Sequence, residues 1–304
     1  MPVLRRAPRR RWPHLPASER VPALTSDDLA TGDVLDLLSR GTLEVRGRLV
    51  DASNATLYAA VALDGVEAAC VYKPVAGERP LWDFPGGTLA RREVASYVLS
   101  AGLGWDVVPP TVLRDGPFGE GSVQWWIGTG AADEDGDPVV PEPGGGVVDI
   151  VPPDQVPPGW LHVLRAQSYE GASVSLVHAD DPQLQRMAVF DAVANNADRK
   201  GGHILRDPDG ALRGVDHGLT FNIEEKLRTV LWGWAGRRLP PQIVDALRPL
   251  CADLTGEGAV HDELRRLLSP AEIARTAARV ARLLDSGRFP RAGASRHPIP
   301  WPAF

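Results

Sequence analysis

The stretch that most limits what this chain can fold into is residues 195–221, NNADRKGGHILRDPDGALRGVDHGLTF. Two polar clusters, at 195–203 and 216–217, sit on either side of two short strand-like runs, HILRD and LRGV, joined by a PDG turn. A turn of that composition between two β-prone runs predicts a hairpin. The hairpin carries both clusters to one end of the same ribbon. The fold must therefore support carboxylates, cations and imidazoles gathered at one place.

The chain before this ribbon reads mainly as sheet. TLEVRGRLV (42–50) and ATLYAAVAL (55–63) alternate, and VEAACVYKP (66–74) follows a turn at Asp64-Gly65, which predicts an antiparallel meander. TSDDLATGDVLDLLSRG (25–41) predicts a short helix capped by Ser26 or Asp27 and stopped by Gly41. LARREVASYVLSAGLG (89–104) predicts a helix with Val94, Tyr97 and Val98 on one face, ended by Gly102 or Gly104. GSVQWWIG (121–128) predicts a further strand. In the second half, 181–196 predicts a helix with Asp181 at the N-cap and Pro182 at N1. The clearest helix is 269–287, with Ser269 and Glu272 as a capping box, Pro270 at N1 and Gly287 as its stop. The organisation expected is a disordered basic tail over 1–20, a sheet-rich part over 21–130, a Pro/Gly/Asp-rich loop over 131–159, a mainly helical part over 160–290, and a tail over 291–304. No internal repeat is visible.

Composition narrows the function classes. At 304 residues with 43% hydrophobic and 24% charged side chains, the chain can bury a real core and is not a disordered one. The formal net charge of −6 argues against a nucleic-acid partner. Cys70 and Cys251 lie in apolar runs without CxxC spacing, which predicts reduced, buried thiols and a cytoplasmic protein. No apolar run approaches the roughly 18 residues of a membrane span. The N-terminal MPVLRRAPRRRWPHLP is basic with no apolar run after it, so it reads as a solvated arm rather than a signal peptide. That arm would make at most a weak contact with a membrane surface or an acidic protein.

The polar residues fall in an order that suits phosphoryl transfer. Lys73 ends the third strand and Glu93 lies one turn into the next helix, an order that lets a carboxylate hold a lysine against phosphate oxygens. Asp198 is followed two residues later by Lys200 and five residues later by His203, near the spacing of a kinase catalytic loop. Asp216-His217-Gly218, after the hairpin, stands where a metal-binding Asp-x-Gly would. A carboxylate such as Asp198 can orient an attacking hydroxyl, a cation such as Lys200 can offset charge on the transferred group, and Asp216 is a hard oxygen ligand.

These residues resemble the phosphatidylinositol 3-/4-kinase-like superfamily, whose pattern is Asp-Arg-x-x-x-Asn followed by Asp-x-Gly, and HipA-type kinases share it. The chain is more specifically similar to an actinobacterial kinase-like family in which YKP, LWDFPGGTLARREVASY, GWDVVPPTVLRDGPFG, NNADRKGGH, DHGLTF and KLRTVLWGWAG recur, over about residues 40–240. The resemblance implies an α+β, two-lobed protein-kinase-like fold with an N-terminal antiparallel sheet lobe and a mainly helical C-terminal lobe. It implies ATP and Mg²⁺ or Mn²⁺ as cofactors. Lys73 would hold the α/β phosphates, Glu93 would orient Lys73, Asp198 would be the catalytic Asp and Asp216 a metal ligand. SNAT, with Ser53, Asn54 and Thr56, would cover the phosphates, and SVQWWI, with Gln124, would lie against the adenine, with Trp125 or Trp126 toward the base.

The sequence departs from that pattern at His203, which stands in the place of Asn, and in the absence of glycines from SNAT. His203 would bind Mn²⁺ better than Mg²⁺, touch phosphate, mark a one-metal site, or be a hydrogen-bonded structural residue. His217 reads as a packing or supporting residue, Asn195 and Asn196 as helix C-caps, and Arg91 and Arg92 as solvated. TVLWGWAG (229–236) reads as core packing, and DFPGG (83–87) as a lid over the nucleotide or a plain turn. Two classes stay open: an ATP-dependent phosphotransferase whose acceptor is a protein, a small molecule or a phosphoinositide, and a nucleotide-binding module acting through a partner. AMP transfer is a variant of the first.

Overall fold

The structure, a computed structural model, describes residues 3–4, 31–49, 55–78, 84, 88–128, 142–168, 170–256, 258–293 and 298–304. After the two-residue strand β1 (Val3–Leu4) come helix α1 (Thr31–Arg40) and the strands β2 (Thr42–Arg48), β3 (Leu57–Leu63) and β4 (Val66–Pro74). Helix α2 (Leu89–Leu103) leads to β5 (Thr111–Gly116) and β6 (Gly119–Trp125). The five strands β2 to β6 form one antiparallel sheet in the order β2-β3-β4-β6-β5. The predicted meander is its first three strands. β5 was not read from the sequence, and the cap expected at Ser26 or Asp27 lies outside the described residues.

Strand alternation gives this sheet two different faces. Leu57, Ala59, Val61, Cys70, Tyr72, Val123 and Trp125 form one face and pack with Val34, Leu37 and Leu38 of α1. Residues opposite one another across an antiparallel pair share a face. The register pairs Lys73 with Ser122 and Val71 with Gln124, so these four residues lie on the other face. That face also carries a small apolar cluster of Tyr58, Ala60, Ala69 and Trp126, with Val71 against it.

A second sheet follows. β7 (Val148–Val151), β8 (Trp160–Ser168) and β9 (Ser173–Ala179) pair in the order β1-β8-β9-β7, with β1 parallel to β8 and the rest antiparallel. The expected 131–159 loop thus contains a strand, and the start of the expected mainly helical part is a β-hairpin. The register of β8 shifts between His162 and Leu164, and such a bulge breaks the period-two alternation by which a strand is read.

Of the remaining elements, the 182–194 helix, the hairpin and the 270–286 helix follow their sequence signals closely, while the helices at 241–255 and 259–264 were not read from the sequence. In α3 (Pro182–Ala194) the Asp181 side chain accepts from the N–H groups of Gln183 and Leu184, and Asn195 ends the helix in the left-handed region at φ 52°. The predicted hairpin forms from β10 (Ile204–Arg206) and β11 (Leu212–Gly214). Helices α4 (Pro241–Thr255), α5 (Ala259–Leu264) and α6 (Pro270–Ser286) complete the chain, and α6 has the Ser269–Glu272 capping box and a left-handed Gly287 at its end. Among the described residues the fold is therefore mixed α+β, with two largely antiparallel sheets, a hairpin and six α-helices. No described helix is long and apolar enough to cross a membrane.

One expectation is corrected here. Arg92 is not solvated: its side chain is 11% exposed, pairs with Glu272 of α6 and donates to the carbonyl of Thr220. It lies over the Phe84 ring, 5.1 Å from the ring centre, and so ties α2 to α6. Arg91 is largely exposed and reaches Glu120 at 3.3 Å. Removing Arg92 leaves the carboxylate of Glu272, itself only 14% exposed, without a cation to offset its charge. Arg92→Ala is expected to lower the unfolding free energy by about 3 kcal/mol, read by urea denaturation.

Candidate functional site

The end of α3 is where the chain begins to build the site. The Asn195 side chain donates to the carbonyls of Asn222 and Glu224 and accepts from the N–H of Lys226, which fixes the 222–226 segment beside the helix end. Asn196 donates to Asp191 at 2.9 Å and accepts from the Asp198 N–H at 2.9 Å. Asn195 is thus the helix C-cap that the sequence suggested. Asn196 instead ties the backbone of Asp198 to the last turn of α3.

Beneath Asp198 lies a residue whose role the sequence did not reveal. Arg199 and Asp191 are both 0% exposed and paired at 3.0 Å. Arg199 also donates to the carbonyls of His203 and Val215 and to Nε2 of His217, the last at 2.6 Å. A guanidinium can only donate, so Nε2 of His217 accepts and its proton sits on Nδ1. Burial, and then the Arg199 charge, hold His217 well below the usual histidine range, so the ring is neutral. It packs edge-on to Phe190, in keeping with the supporting role expected of it. The close approach also explains a glycine: a Cβ at Gly214 would stand 2.8 Å from the Arg199 guanidinium.

The charged groups then meet where the Lys73 face of the first sheet approaches the end of the hairpin. Lys73 Nζ pairs with Glu93 of α2 and, at 2.8 Å, with Asp216. Burial opposes the charge on Lys73, but Asp216 and Glu93 outweigh it and raise its pKa. The other oxygen of Glu93 accepts the backbone N–H of His217 at 2.9 Å. Asp216 takes a left-handed backbone, φ 61°, which asparagine and aspartate adopt more readily than other non-glycine residues. Its carboxylate is 54% exposed and open to an incoming ligand. Lys73 draws its pKa well below the usual carboxylate range.

Asp198 and His203 complete the cluster. Lys200 lies 3.2 Å from Asp198, and His203 Nε2 lies 3.4 Å from Asp216. Burial pushes Asp198 up to about 6, with Lys200 opposing and Asp216 reinforcing that rise. Burial pulls His203 down to about 3, so its ring is neutral at pH 7 and has a lone pair to give. Its Nδ1 is buried and makes no hydrogen bond. Asp198, His203 and Asp216 each offer a ligand atom, all within 4.8 Å of one another. Two carboxylates and a neutral imidazole at that spacing fit a divalent cation, and the nitrogen donor suits Mn²⁺ better than Mg²⁺.

The other candidate residues divide. Gln124 and Trp126 are on the sheet side that carries Lys73, with Trp126 edge-on to Tyr58 at 5.0 Å between ring centres. Gln124 is committed to Thr111, to which its amide donates at 2.8 Å. Trp125 is on the opposite face, in the core under α1, and is not brought to the cluster. Thr56 is buried, and its carbonyl accepts the Leu49 N–H. Ser53 and Asn54 lie outside the described residues, as does most of DFPGG. In TVLWGWAG, Trp234 is core and Trp232 donates to the carbonyl of Pro298, which agrees with the packing role expected. Cys70 is buried and Cys251 half-buried, both as free thiols.

A support missed entirely is the 298–304 segment. Gly201 donates to the carbonyl of Ala303 at 2.7 Å, and the Phe304 ring lies where a Cβ on Gly201 would be, 2.3 Å from the nearest ring atom. The expected tail therefore packs directly under the backbone that joins Lys200 to His203. No periodicity or motif in 298–304 signals this.

No family model matches the chain. Among curated proteins, Protein Rv2133c of Mycobacterium tuberculosis is 50% identical over 268 residues, which cover 88% of this chain and 94% of that protein.

The raised pKa of Asp198 gives a stability test. Its ionised form is disfavoured in the folded protein, so the penalty is absent below its ordinary value of 3.8, grows as pH rises, and is complete above about 6. Asp198→Asn is expected to be more stable than wild type by on the order of 2 kcal/mol at pH 7.5, with the difference gone near pH 4. Denaturant titrations of both proteins at the two pH values check it.

Proposed function

The chain belongs to the same family as Protein Rv2133c, and we propose that it is an ATP-dependent phosphotransferase with a two-lobed, kinase-like arrangement. The observation that carries the reading is Lys73 held between Glu93 and Asp216. A strand lysine paired with a helix glutamate, beside an aspartate that follows a hairpin, is the set that kinases use to grip nucleotide phosphates and their metal. Lys73 would bind the α/β phosphates, and Glu93 would keep it aimed. On the same side of the sheet Val71 is partly exposed beside the buried Tyr58 and Trp126, and the base would lie against it.

Asp216, with His203, would hold the divalent cation, which when bound supplies positive charge to the phosphate oxygens. Asp198 would accept the proton of the attacking hydroxyl. A carboxylate titrating near 6 is well matched to that task near neutral pH. Lys200 can pass from Asp198 to the transferred group as negative charge develops there. The competing reading, a nucleotide-binding module without transfer, draws its support from His203 at the position where the superfamily has Asn.

Calorimetric titration of ATP with Mg²⁺ or Mn²⁺ tests the reading. Metal-dependent binding is expected for wild type and not for Asp216→Ala; no binding to either folded protein would overturn the proposal. Asp198→Asn is expected to abolish transfer while nucleotide affinity stays within a few fold, and full activity in that variant would remove Asp198 from its role. A mass increment on the acceptor tells phosphate from AMP. His203→Asn is expected to shift metal preference toward Mg²⁺, and an unchanged Mg²⁺/Mn²⁺ ratio would take His203 out of the metal site.

A further inference from the structure

The segment after DHGLTF runs beside the Asp198 segment as a short parallel pairing. Arg228 donates its backbone N–H to the carbonyl of Asn196 at 2.9 Å. Arg199 donates to the carbonyl of Arg228, and Val230 to that of Arg199, each at 3.1 Å. These bonds make the parallel bridge between Arg199 and Thr229. Along such a pairing, laterally adjacent residues send their side chains to the same side, and successive residues to opposite sides. Arg199 and Thr229 point inward, at 0% and 2% exposure. The preceding pair, Asp198 and Arg228, therefore turns to the opposite side, and both are half-buried.

The cations nearby are already matched with carboxylates. Lys73 has Glu93 and Asp216, Lys200 has Asp198, and Lys226 has Glu224. The Arg228 guanidinium makes no hydrogen bond or ion pair among the described residues. Its charge is nonetheless felt at Asp198, where, with Lys200, it opposes the rise that burial imposes. A half-buried guanidinium without an anion keeps its fork of donors available, and that fork matches the oxygens of a phosphate or carboxylate.

We propose that Arg228 is a specificity residue that binds an oxyanion, phosphate or carboxylate, carried by the acceptor next to the hydroxyl that Asp198 receives. The acceptor is then an anionic alcohol, not a neutral one. This rests on the phosphotransferase reading for the word acceptor, while the oxyanion site itself stands on the pairing geometry and the unmatched charge.

The test is calorimetric titration of inorganic phosphate, and separately of acetate, into the full chain. Each is run with and without a saturating non-hydrolysable ATP analogue and Mg²⁺. Wild type, Arg228→Gln, Arg228→Lys and the distant control Arg237→Gln are compared. Wild type is expected to bind one of the two oxyanions, and the arm that binds identifies which. Arg228→Gln should weaken that binding by about tenfold or more, the loss of one charge-assisted hydrogen bond. Arg228→Lys should restore part of it, and Arg237→Gln should match wild type. All four should bind the nucleotide analogue within about twofold of one another, a difference under 0.5 kcal/mol. Equal oxyanion affinity in wild type and Arg228→Gln, no oxyanion binding by wild type at millimolar concentration, or a loss of nucleotide affinity in Arg228→Gln would each overturn the proposal. Absence of nucleotide binding with oxyanion binding intact would overturn the transferase reading and support the anion site alone.

Discussion

The buried pair between Arg199 and Asp191 holds the rest of the site in place. One guanidinium, wholly removed from solvent, bonds the last turn of α3, the carbonyls of His203 and Val215, and the ring of His217. These points belong to the two polar clusters on either side of the β10–β11 hairpin and to the helix that precedes them. A charge this deeply buried requires all of its donors to be matched, and the several partners supply that match. The distance between Asp198 and Asp216 is therefore set from below. The hairpin alone would leave it to two short strands of three residues each.

Above that foundation the two carboxylates of the site are held in different states. Asp216 faces Lys73 and stays ionised well below the usual range, whereas burial lifts Asp198 to about 6. Similar side chains a few ångströms apart thus have different proton affinities because one has a strong cation beside it and the other has mainly lost water. That division is what a site needs if one carboxylate is to bind metal and the other to exchange a proton near neutral pH. His203 follows the same logic in reverse, since burial strips its proton and leaves a lone pair in place of a charge.

Much of this was legible in advance, for local reasons. The Asp181 cap, the Ser269–Glu272 capping box, the Gly104 and Gly287 stops and the PDG hairpin are signals carried within a few residues, and each formed where expected. The order Lys73, Glu93, Asp198, Asp216 also brought together the residues it pointed to. The misreadings share a different character. The second sheet was hidden by the bulge in β8 and by β7, a strand of four residues among prolines and glycines. Arg92 looked solvated because its partner Glu272 is 180 residues away. The choice between Trp125 and Trp126, left open by the sequence, was decided by the alternation of β6, which puts them on opposite sides of the sheet.

By itself the sequence determined the helix ends, the turns and the identity of the charged groups, because those depend on bonding between near neighbours. Only the tertiary structure decided which groups meet and in what state of charge. The closing of residues 298–304 beneath Gly201, the matching of Lys73 with two carboxylates and the isolation of Arg228 all depend on segments far apart in the chain. Burial and the field of distant charges set those properties, and neither leaves a mark on the residues taken one stretch at a time.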